Sequence, residues 1–123
     1  MNGWTSDEIE RVAAAEELQL ATRRRDGTLR NALPVWVVRH GDDLYVRSVN
    51  GRGATWFRGA LATGEGHVRA GGVDRDVSFV ETDDLKEEID AAYQAKYGRR
   101  YPSIVPSIVS DKARSAAVKL VPH

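Results

Sequence analysis

The sequence predicts an α+β fold: a small antiparallel β-barrel of about six strands, with an N-terminal helix, a short helix after the third strand and a longer helix before the last strand. Three observations predict it. Short runs of alternating apolar and polar residues are separated by Gly- and Asp-rich turns, so neighbouring strands are joined as hairpins and pair antiparallel. Helical periodicity is confined to a few stretches. The chain, 123 residues with 41% hydrophobic residues, suits one domain over residues 1–123 with a single core. Closing such a sheet removes its exposed edges.

The elements follow in order. Thr5 or Ser6 before "DEIERVAAAEE" is a helix start, because Thr5 and Glu8 have capping-box spacing and acids crowd the positive end of the helix dipole. Ile9, Val12 and Ala13 then face inward. In "LQLATRRRDGTLRNALPVWVVRH" two runs flank Asp26-Gly27, a pair suited to a tight hairpin turn. His40-Gly41-Asp42-Asp43 turns the chain into "LYVRSVN", where Leu44, Val46 and Ser48 share one face and Tyr45, Arg47 and Val49 the other. "ATWFRGALAT" makes a short helix with Trp56, Ala60 and Leu61 on one side, weakened by Gly59. Gly71-Gly72 turns a further hairpin. Asp83 is expected to cap "DLKEEIDAAYQAKYG", in which Leu85, Ile89, Ala92, Tyr93 and Lys96 keep the helical period and Gly98 is a natural stop. A turn of helix near Asp111–Arg114 and a strand from Ser115 to Val121 close the chain.

Composition excludes several functions. Lys plus Arg and Asp plus Glu both number 18, so net charge offers no overall trap for nucleic acid or an anionic membrane. The absence of cysteine excludes disulfides, thiolate metal sites and thiol nucleophiles. "MNGWTSDEIERV" is polar and acidic rather than a signal peptide, and no apolar run approaches the ~20 residues that span a bilayer. A cytoplasmic protein is expected.

The stretch "YVRSVNGRGATWF" carries the chemistry. A phosphate calls for backbone N–H groups at a helix start, flexible residues that allow close approach, and guanidinium or hydroxyl donors nearby. Arg47 and Ser48 end the strand, Asn50, Gly51, Arg52 and Gly53 form the loop, Ala54 begins the helix, and Trp56 and Arg58 follow. An ordinary turn with solvated arginines fits the same residues. The P-loop and Rossmann glycine patterns are absent.

Through "DDLYVRSVNGRGATWFRGALATGEGHVRAGG" the chain resembles the FMN-binding split-barrel superfamily. Within it the chain is similar to a small bacterial group, domain of unknown function 2255, close in pattern to deazaflavin-dependent nitroreductase relatives. "WTSDEIERV" and "AYQAKYG" extend the resemblance to that group over nearly the whole chain. It implies a split barrel, with Ser48 matching the relatives' strand-end hydroxyl, Arg52 their loop base and Trp56-Phe57 their aromatic pair. Arg52 and Ala54 stand where those relatives often have lysine and proline, and Gly59 where an asparagine follows the aromatic pair. The resemblance further implies FMN or deazaflavin as cofactor, an organic small-molecule substrate, oxidoreductase chemistry carried by the ring, and a homodimer with its site at the interface. Pro34, Val35 and Trp36 would wall the pocket; "KYGRRYPS" reads as a helix end whose basic residues complement the negative dipole, or as Tyr93, Tyr97 and Tyr101 folding over the pocket mouth. A non-redox binding module for a phosphorylated metabolite or tetrapyrrole, or a barrel that has lost its cofactor and keeps an apolar pocket, remain open readings.

Other residues carry less. Arg23-Arg24-Arg25 reads as a solvated strand end, or as a basic lip if the fold brings it to the loop. His40, His67 and His123 are dispersed without metal-site spacing, so no metal is expected. Asp74, Asp76, Asp83 and Asp84 fall in turns or caps, and no residue stands out as a catalytic acid, base or nucleophile.

Overall fold

The computed structural model describes residues 3–123, so Met1 and Asn2 of the polar N-terminal stretch lie outside the described residues. Thr5 caps α1 (Ser6–Ala14) through a capping box: the Glu8 N–H donates to Thr5 Oγ1 at 3.1 Å and the Thr5 N–H to Glu8 Oε1 at 3.0 Å. Then come β1 (Leu18–Thr22), β2 (Leu33–Val35), β3 (Val37–His40), β4 (Asp43–Arg47), a single 3₁₀ turn (Gly51–Gly53), α2 (Thr55–Thr63), β5 (Glu65–Ala70), β6 (Val73–Thr82), α3 (Lys86–Tyr97), α4 (Val105–Ile108), α5 (Asp111–Arg114) and β7 (Ala117–Pro122).

The strands form one sheet in the order β2-β1-β5-β6-β7-β4-β3, every pair antiparallel. β2 and β3 occupy the two edges, yet Trp36 alone separates them. The sheet must therefore curl until its edges meet, which makes a nearly closed barrel split at Trp36. This corrects the expected strand count from about six to seven. Val35 pairs with Leu18 and Val37 with Val46, so one continuous run changes partners at its tryptophan. Pro34 is tolerated in β2 because an edge strand leaves one row of backbone groups unpaired.

Alternation divides the packing in two. Leu18, Leu20, Val37, Leu44, Val46, Val68, Val77, Phe79, Val118 and Leu120 fill the barrel, joined by Ile9 and Val12 of α1 and Phe57 and Ala60 of α2. Burial of a side chain such as Phe57 contributes about 1.5–3 kcal/mol. Outside the barrel, Val38 and Tyr45 pack against Ile89, Tyr93 and Tyr97 of α3 and against Val105 and Ile108 of α4.

Several local expectations are corrected. Asp83 does not cap α3: the helix begins at Lys86 after Leu85, which adopts φ 58° and packs its side chain against the outer cluster. α2 buries Phe57, Gly59 and Ala60, while Leu61 is exposed. A Cβ on Gly59 would stand 2.9 Å from Thr22 Oγ1, so this glycine lets α2 lie close on β1. After the turn at Asp26-Gly27, residues 28–32 stay out of the sheet apart from an isolated bridge between Arg23 and Leu29. The proline-containing tail also forms α4, an element the periodicity did not announce.

Candidate functional site

The split in the barrel opens into a cleft of about 350 Å³, within the range of about 300–1,000 Å³ usual for small-molecule sites. Leu33, Pro34, Val35 and Trp36 wall one side where the sheet edges meet. Arg47, Ser48, Val49 and Asn50, at the end of β4 and just beyond, wall another. Trp56 from α2, Ile104, Ser107 and Ile108 around α4, and Glu17 just before β1 complete it. Residues from both halves of the sequence-based site, the strand-end loop and the Pro34–Trp36 wall, thus share one cavity.

Trp36 is set by the aromatics behind it. Tyr97 stacks on it with ring centroids 4.0 Å apart and planes 3° from parallel, and Tyr101 lies 5.3 Å away, tilted by 40°. Tyr93 and Tyr97 are buried and do not fold over the cleft mouth. Burial raises both phenol pKa values. Their hydroxyls are occupied: Tyr97 donates to Glu16 O at 2.8 Å, and the Arg47 N–H donates to Tyr93 Oη at 2.9 Å. The Tyr101 hydroxyl donates to Glu16 Oε1 at 2.6 Å, and that bond to a carboxylate holds its pKa up. Tyr97 and Tyr101 therefore buttress the pocket wall without lining it.

Arg47 is fully buried at its side chain and pairs with Asp90 of α3. Its guanidinium also donates to Ile108 O at 3.1 Å and Lys86 O at 2.9 Å, beneath the Tyr93 ring. Its role is to tie β4 to α3 and α4, although its Nε remains without a partner. Arg52 turns away from the cleft, donating to Glu81 Oε2 and to Ser115 O at 2.8 Å over the Phe57 ring. Gly51 adopts φ +78° against the Lys112 side chain; neither it nor Gly53 lines the cleft. Arg58 lies on another face of α2, beside a second cavity.

Ser48 is different. It is 1% exposed, lines the cleft, and its Oγ has no hydrogen-bond partner. An unsatisfied buried hydroxyl costs about 1–3 kcal/mol, so Ser48 keeps an unused donor and acceptor in the cleft wall. The backbone makes the position: the Ser48 N–H donates to Ala116 O at 2.9 Å, and Ser48 O accepts from the Gly51 N–H at 3.0 Å.

Sequence reasoning missed Ile104, Ser107 and Ile108. The apolar spacing in "SIVPSIV" was the available signal, obscured by Pro102 and Pro106. Among the described residues, no group of three or more His, Asp or Glu side chains is placed to hold a metal ion, and no helix is long and apolar enough to cross a membrane.

Solved structures share this architecture. The chain is similar to a candidate 5-nitroimidazole antibiotic-resistance protein from Bacteroides thetaiotaomicron, with TM-score 0.58 and 15% identity over 96% of this chain and 78% of that one. It is similar to an FAD- and heme-binding protein from Mycobacterium smegmatis, with TM-score 0.53 and 19% identity over 98% and 67% of the two chains. An F420 reductase matches with TM-score 0.52 and 18% identity over 97% and 94%. At such identities these likenesses show the split-barrel fold alone. No curated protein matches in sequence. Residues 8–120 match the family of uncharacterized proteins conserved in bacteria called DUF2255, and the chain belongs to that family.

Proposed function

We infer that the protein binds a flavin-type ring, FMN or deazaflavin, in the cleft at the barrel split and acts as an oxidoreductase on an organic small molecule. The observation that carries this reading is the buried, unpartnered Ser48 Oγ in a cleft walled by Pro34, Trp36 and Trp56. Solved neighbours named for FAD and F420 support it at the level of fold. A bound flavin or deazaflavin would supply the redox chemistry itself. The chain's part is to hold and shield it: Ser48 offers a hydrogen bond to a polar ring or side-chain atom, while Pro34, Trp36 and Trp56 exclude water. Val49 and Ile104, 43% and 50% exposed at the cleft, support a homodimer in which a second copy covers the opening.

Titration with FMN and with deazaflavin, followed by ring fluorescence, tests the proposal. Binding should weaken about tenfold in Ser48→Ala and stay unchanged in Arg52→Ala, because Arg52 already has its partners. Failure of both rings to bind, or full affinity in Ser48→Ala, would sink it. A second reading, a binding protein without turnover, is favoured by one observation: both Arg47 and Arg52 are held in ion pairs within the chain. Under that reading an apolar ligand occupies the cleft and neither ring binds.

A further inference from the structure

The opposite face of α2 borders a second cavity, of about 360 Å³, lined by Arg23, Arg24, Arg25, Arg30 and Arg58 with Thr55, Gly59, Ala62 and Thr63. No carboxylate and no aromatic side chain lines it. The chain is neutral overall, and most of its arginines are balanced: Arg11, Arg23, Arg39, Arg47, Arg52, Arg75, Arg100 and Arg114 each have an acidic partner. Among the described residues, the arginines without one are Arg24, Arg25, Arg30, Arg58, Arg69 and Arg99. Four of these six line this single cavity, so the arginines left without an acidic partner are concentrated there.

The gathering has a structural cause. The turn at residues 24–27, where the Gly27 N–H donates to Arg24 O at 2.9 Å, is folded against α2, and Thr63 Oγ1 pins it by donating to Arg23 O at 3.0 Å. Gly59 leaves room for Arg30, whose Nε lies 3.5 Å from where a Cβ would stand. The start of α2 has no side-chain cap, and Thr55 in its first turn faces the same cavity. Arg24 donates to Thr28 Oγ1 at 3.3 Å and Leu29 O at 3.1 Å, and Arg23 to Gly27 O at 2.8 Å and Asp76 at 3.1 Å, which leaves the guanidinium forks of Arg25, Arg30 and Arg58, together with the uncapped helical N–H groups, as the donors that phosphate oxygens accept from. A cavity this size, with no ring to stack a base, suits linked phosphates better than an extended nucleic acid.

We propose that this arginine cleft binds a small ligand carrying two or more linked phosphate groups, independently of what occupies the aromatic cleft. Isothermal titration with tripolyphosphate tests it, with orthophosphate, citrate and a short DNA duplex as comparisons. One tripolyphosphate should bind per chain, at least tenfold more tightly than orthophosphate or citrate, weakening as salt is raised. Arg25→Ala and Arg58→Ala should each weaken it about tenfold, and Arg58→Lys should restore only part of the affinity because it lacks the planar fork. Arg99→Ala, an exposed change outside the cavity, should leave it intact. Tripolyphosphate no tighter than orthophosphate, or unchanged in both Arg25→Ala and Arg58→Ala, would overturn the proposal. Equal affinity for citrate would reassign the cleft to polycarboxylates, and tighter binding of DNA would reassign it to nucleic acid; either result also overturns it.

Discussion

At the scale of single residues, the two groups that differ most from ordinary surface chemistry are partly buried on α3. Asp90 accepts from Arg47, whose side chain is fully buried, and also pairs with Arg114 at 3.2 Å. Asp90→Asn leaves a buried guanidinium without a counter-charge, so it should destabilise the fold by about 3–5 kcal/mol, read from urea unfolding. Lys96 donates to Val37 O at 2.7 Å, and burial pulls its ammonium down to about 8 from an ordinary 10.5. The folded state therefore disfavours the charged form. Below about pH 8 both states are protonated and the penalty is complete. Between about 8 and 10.5 the unfolded chain holds the proton that the folded one has lost, so stability rises with pH. Lys96→Met should flatten that rise, a difference of at most about 1–2 kcal/mol given the partial solvent exposure; urea midpoints at pH 7.5 and 10 measure it.

At the scale of elements, close approach decides which strands can cross. A Cβ on Gly66 of β5 would meet Ala21 O at 2.2 Å and the Phe79 ring at 2.6 Å. Gly66→Ala must push β1 or Phe79 aside, and should cost about 1–3 kcal/mol, seen as a lower thermal midpoint. Hairpin and helix signals were the legible part of the sequence. Gly71 and Gly72 adopt φ of 58° and 83° in the predicted turn, the Thr5–Glu8 capping box forms, and α5 covers the expected Asp111–Arg114. Each depends on residues a few positions apart, where steric and hydrogen-bond preferences act without tertiary help. The start of α3 was misread because tertiary packing of Leu85 displaced a local cap at Asp83.

At the scale of the whole molecule, closure of the barrel rests on one joint. Trp36 links the two edge strands and is stacked on Tyr97, so its side chain both fastens the seam and walls the candidate cleft. Trp36→Ala should lose about 1–3 kcal/mol and speed amide exchange in β2 and β3 ahead of β5 and β6. Uniform protection in all four strands would show that the seam does not depend on the tryptophan.

The amino-acid sequence by itself determined the antiparallel α+β class, the turns and the stretch that reaches the candidate site, because alternation, turn chemistry and capping are short-range. Only the tertiary structure decided what the arginines do. Arg47 meets Asp90 across 43 residues, Arg52 meets Glu81 across 29, and Arg58 joins the 23–30 segment in a cavity of its own. A guanidinium is long, flexible and charged wherever it stands; whether it is neutralised in the core or left open to a ligand depends on which distant carboxylate the barrel carries into reach.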